Sequence, residues 1–202
     1  MTSFRDFEKQ LCIVHDIPFV NAIAKGRNAD ANALICYGYV DHVAGLSFDA
    51  VSLAKYNNGD CVAVEGLEST ALKIRADSVN LEEVVPIRNR VYLERFKERI
   101  DMVAVYYEND ACVQARARTE LDADRHPCYP DDVYTLFVSE DRTKLEKIWV
   151  RVESFVGEQD GGAYFKGTLL NEPDSPMGCH INDEVFICSY LSDSGERILL
   201  RV

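Results

Sequence analysis

Four places in the sequence hold residue types that could do chemistry. His126 with Cys128, and Cys179 with His180, offer the imidazole and thiolate ligands that zinc takes. Neither spacing is that of a zinc finger, and adjacent residues of a strand point to opposite faces, so the expectation is no metal and no cofactor. Cys12 and His15 lie three apart and could form a thiolate pair, yet Cys12 stands among Leu11, Ile13 and Val14 and reads as a buried thiol. The fourth place is an acidic stretch with Glu120, Asp122, Asp124, Asp131 and Asp132. It lacks the spacing and the bend glycine of a calcium loop and reads as solvated.

The sequence contains no G-x-S-x-G, H-E-x-x-H, Walker loop, G-x-G-x-x-G or H-x-E pattern. "GEQDGG" at 157–162 is followed by neither a basic residue nor a helix start, so it reads as a hairpin turn and not a phosphate cradle. Without a catalytic constellation, the leading class is a noncatalytic binding protein. The alternative is an enzyme or small-molecule binder with a cleft between two halves, lined by Trp149, Tyr134 and the acidic loop.

Composition bounds the partner. The 202 residues are 47% hydrophobic, enough for a core, and carry a net charge of −12. Residues 1–100 hold 12 basic and 14 acidic groups, residues 101–202 hold 10 and 20, so the acidity lies in the second half. That balance opposes binding to nucleic acid or an anionic membrane and steers a cationic partner, or serves solubility alone. The seven cysteines are odd in number, include no C-x-x-C pair and sit mostly in apolar runs, so most read as core thiols. No apolar run is long enough to span a bilayer, and "MTSFRDFEKQ" is unlike a signal peptide; the expected location is cytoplasmic.

The elements that must position these residues fall into two parts. Ser3 and Asp6 form a capping box, and Phe4, Phe7, Leu11 and Val14 share a helical face, which predicts a helix ended by Pro18. "LICYGYV" and, after "NNGD", "CVAVEGL" predict strands. A second helix is predicted over 86–100, starting near Pro86, with Arg88, Arg90, Arg95, Lys97 and Arg99 on a solvated basic face. A short strand is expected over Asp101–Val105, then a helix running into the acidic, proline-broken loop. "VYTLFVSE", "KIWVRVESFV", "AYFKGTLL", "EVFICSYL" and "RILLRV" predict five strands of a strongly bent sheet or barrel-like unit. The fold class is therefore α+β, with a mixed part at 1–125 and a β-rich part at 126–202.

The third of those strands stops on Asn171-Glu172-Pro173. Asn171 suits a turn, and Pro173 forbids further ladder pairing. Gly167 inside the strand marks a close approach, with Trp149 expected to be buried against it. Residues 130–190 resemble the bacterial domain of unknown function 2314 family, through Trp149-Val150-Arg151-Val152 and Gly167-Thr168-Leu169-Leu170-Asn171-Glu172-Pro173. They depart from it at "CSYLSDSGERILL" and Asn182-Asp183. The resemblance implies a bacterial, soluble protein and transfers no reaction. The binding residues expected are Trp149, Asn171, Glu172, Asp122, Asp124, Asp131 and Asp132, with a protein partner, a basic one in the case of an immunity-type inhibitor.

Overall fold

The Ser3 hydroxyl accepts from Arg5 N, and Asp6 returns a bond to Ser3 N at 2.8 Å, so the capping box exists. It caps one 3-10 turn, Phe4–Asp6, and not the predicted helix. Lys9 takes φ of 59°, and Leu11–His15 then forms strand β1. The reason is burial: Leu11 to Val14 are all buried, which suits a strand covered on both faces and not one stripe of a helix. Pro18 opens helix α1 (Pro18–Arg27) where an end was expected, since its fixed φ suits a first helical position. The computed structural model describes residues 3–15, 18–68 and 72–202, in two units, Met1–Glu108 and Asn109–Val202.

In the first unit β1 joins β2 (Ala33–Asp41), β3 (Gly45–Asn57), β4 (Asp60–Gly66) and β6 (Val84–Ile87) in the antiparallel order β4-β3-β2-β1-β6, with β5 (Lys73–Arg75) also on β3. Asn58 and Gly59, both at positive φ, make the β3–β4 turn read from "NNGD". One sheet face packs Leu11, Ile13, Ile35, Tyr37 and Tyr39 against Phe96, which joins helices α2 (Arg90–Arg95) and α3 (Lys97–Tyr107), and against Val103 on α3. Pro86 lies in edge strand β6, where a missing N–H is tolerated, and Asn89 caps α2. The strand expected at Asp101–Val105 is the middle of α3: of those residues Val103 alone is buried, a helical and not an alternating pattern. Tyr92 reaches the outer edge of β4, donating to Cys61 O and accepting from Ala63 N.

In the second unit Asn109 caps α4 (Asp110–Ala117), which packs on the barrel strand β8. The boundary thus falls at 108/109, ahead of the expected 125/126, because this helix and the acidic loop bond to the strands that follow. Five strands form a closed barrel: β7 (Asp132–Val138), β8 (Leu145–Gln159), β9 (Gly162–Leu169), β10 (Glu184–Leu191) and β11 (Arg197–Arg201). Successive strands are antiparallel, and β11 closes on β7 in parallel at Leu200 and Leu136. The fold is α+β, as expected. Val133, Phe137, Ile148, Val150, Phe165, Leu169 and Ile187 fill the interior.

Pleat parity decides the fate of Trp149. Val150 and Val152 are buried in the barrel, so Trp149 and Arg151 point outward, whereas Gly167 is buried between Phe165 and Leu169 and points inward. Trp149 is half-buried and does not cover Gly167. The close approach at Gly167 is real but has other neighbours: a Cβ there would lie 2.5 Å from Arg151 O and 2.6 Å from Val150 Cγ1. Gly167→Ala should cost about 1–3 kcal/mol by overpacking, read from urea denaturation. A wild-type midpoint would contradict this account.

Candidate functional site

Tyr134 on β7 faces Trp149 on β8 in register, and both project outward. Their rings stack with centroids 4.7 Å apart at 26°. His126 meets the Trp149 ring edgewise at 5.4 Å, Tyr129 meets His126 at 5.1 Å, and Lys147 Nζ lies 5.5 Å from the Tyr134 centroid. The result is an aromatic face on rigid strands, with Tyr134 38% exposed. Such a face can stack a planar group or take a cation on its rings.

The loop before β7 holds this face in place and is not solvated as expected. Asp131 accepts from Arg116 Nε at 2.8 Å, both side chains being nearly inaccessible at 4% and 3%. Asp132 takes the Arg151 guanidinium in two bonds, 2.7 and 3.0 Å. Asp122 pairs with Arg125 at 3.2 Å, and Arg125 also donates to the carbonyls of Ala115, Arg118 and Pro130. Glu120 pairs with Arg118 at 2.5 Å, so four of the five acids of this stretch hold arginines. Asp124 lies half-buried: desolvation raises its carboxyl above the usual range, against the pull of Lys147. A loop that bonds its own backbone leaves peptide groups to satisfy, and long cationic forks are suited to that task.

Asn171 and Glu172 are brought near the aromatic face and spend their polar atoms on structure. Asn171 Oδ1 accepts from Trp149 N at 3.0 Å, adding one side-chain rung after the backbone ladder ends at Leu170 N to Trp149 O. Glu172 accepts from Ile181 N at 2.9 Å and sits 2.6 Å from His180 Nδ1. Each partner shifts the other: backbone bonding and His180 lower the Glu172 carboxyl, and Glu172 raises the exposed His180 imidazole. The proposed zinc pairs are not assembled as ligands, because His126 Nδ1 accepts from Cys128 N and Tyr129 N, and Cys179 is buried while His180 faces Glu172.

Sequence reasoning missed the stack and the arginines. The register of "VYTLFV" against "KIWVRV" would have shown the first, and Arg116, Arg118 and Arg125 interleaved with the acids hinted at the second. Burial raises the thiols of Cys12 to about 12 and Cys61 to about 11, and also raises Cys36 and Cys179, leaving them poor nucleophiles near neutrality.

Two outcomes follow from these pairings. Asp131→Asn should destabilise by about 3–5 kcal/mol, as loss of a buried charge partner does, while Asp124→Asn should stay within about 0.5 kcal/mol in the same denaturation assay. The Glu172–His180 contact contributes above the ordinary Glu value of 4.5 and below the ordinary His value of 6.5, because a lowered acid loses its gain as pH falls and a raised imidazole loses it as pH rises. NMR titration should place His180 above 6.5 and bring it back toward 6.5 in Glu172→Gln; an unchanged His180 titration would contradict the pairing. Comparison of the chain with family models, with curated proteins and with solved structures finds no match.

Proposed function

We propose that the protein is a noncatalytic binding protein, that the outer barrel face at Tyr134 and Trp149 is its contact surface, and that its partner is a protein presenting cationic side chains. The observation that carries this reading is the stacked pair itself, held on paired strands and reachable from solvent. Large aromatic rings on a rigid frame give contact area at low entropic cost and are common binding hot spots.

The charge of the chain supports the choice of partner. Asp122, Asp131 and Asp132 are neutralised by arginines, so the steering charge comes from exposed acids elsewhere in this unit, among them Glu140, Asp141, Asp174 and Asp183. An acidic protein that covers a basic one gains on-rate from that field. An immunity-type inhibitor of a basic toxin, acting in a bacterial cytoplasm, is the role we favour. None of the described helices is long and apolar enough to cross a membrane, which fits this setting.

The reading is tested with Tyr134→Ala/Trp149→Ala. The bond to Asn171 comes from the backbone N–H of position 149 and survives the substitution, and the Trp149 side chain is only half-buried, so the barrel should remain folded by circular dichroism. A partner captured from the native host, then purified, should bind the wild type with an affinity that falls as salt rises, and the double variant at least about tenfold more weakly. Equal affinity for the two forms would move the contact surface elsewhere, and a salt-independent affinity would remove the charge argument.

A further inference from the structure

The first unit contains a second, separate cluster. On the sheet face under α3, Asp49 of β3 is 1% exposed and takes Arg99 of α3 in two bonds, Nε to Oδ2 at 2.6 Å and Nη2 to Oδ1 at 3.0 Å. Arg99 is thus not on a solvated face, as the sequence suggested, but is clamped with its fork in a fixed direction. Lys73 of β5 donates to the Tyr107 hydroxyl and lies 4.8 Å from that ring's centroid. These groups line a cavity of about 310 Å³ whose other wall is Met102, Val103 and Tyr106.

The geometry points to this cavity as a binding site for a small organic carboxylate with a flat apolar body, its carboxylate between Lys73 and Arg99 and its body against Met102 and Tyr106. Two cations and one carboxylate leave the lining with one positive charge, inside a chain whose net charge is −12. A monoanion matches that surplus. A dianion would place excess negative charge beside Asp49, whose carboxyl is already raised by burial against the opposing pull of Arg99. The volume lies at the small end of ligand pockets, and a mostly apolar wall with a few placed polar groups is their usual make-up.

One feature of the wall agrees with this use. Tyr106 is 77% exposed and Met102 40%, so an apolar strip of α3 is open to solvent beside the two cations.

The test titrates the whole chain with phenylacetate, with its neutral amide and with inorganic phosphate, following the Met102 methyl and Arg99 Nε–H signals by NMR. Phenylacetate should shift both signals saturably, and the amide should bind about tenfold more weakly, as expected for loss of a charge-assisted bond. Lys73→Gln should weaken the acid by a similar factor while leaving the amide unchanged, and Tyr106→Ala should weaken both. Both substituted side chains are exposed, so the fold should survive. Absence of a saturable shift, equal binding of acid and amide, or phosphate binding as tightly as phenylacetate would each overturn the assignment.

Discussion

The second unit is organised around one buried cation. The Arg125 guanidinium donates to the carbonyls at the end of α4, in the turn after it and ahead of β7, and also holds Asp122. A loop rich in carbonyls without ladder partners must find donors or stay wet, and one planar fork supplies several at once. With Arg125 in place, Arg116 and Arg151 reach Asp131 and Asp132, His126 turns its ring to Trp149, and the outer face of the barrel acquires its shape. Acidic composition in this segment is therefore a structural device before it is a surface property.

The same distinction explains what the sequence showed and what it hid. The five barrel strands were legible because period-2 alternation and turn residues are local signals, and "YFKGTLL" followed by Asn-Glu-Pro marked an end that Asn171 does make. The fate of Asp131 was not legible, because its partner lies on α4 and nothing local separates a salt-bridged carboxylate from a solvated one. At the other end of the chain, Phe4, Phe7, Leu11 and Val14 match a helical face by coincidence. Burial of Cys12 and Ile13 places Leu11 and Val14 in strand β1, while Phe4 and Phe7 lie in and just after the 3-10 turn, a case of tertiary context overriding a short period. The side of the sheet that Trp149 takes depends on the parity of Val150, which the local alternation alone does not reveal.

The two units also solve the problem of unpaired strand edges differently. In the first, the open sheet ends on β6, where Pro86 removes a donor, and on β4, where the Tyr92 hydroxyl occupies Cys61 O and Ala63 N. Both devices spoil an edge as a template for another chain. In the second, closure of the barrel removes the edges altogether.

That closure has a consequence for the order of events on the ribosome. The meander β7 to β10 can pair as each strand emerges, since its contacts are between neighbours in sequence. The seam between β7 and β11 cannot, because Leu136 must wait for Leu200 to be synthesised. Until then β7 presents an unpaired edge to its surroundings, and joining the seam carries the entropy of closing a long loop. The last step of barrel folding is thus reserved for a chain already complete through β11, and a nascent chain stalled within β10 would expose an aggregation-prone strand in place of a sealed barrel.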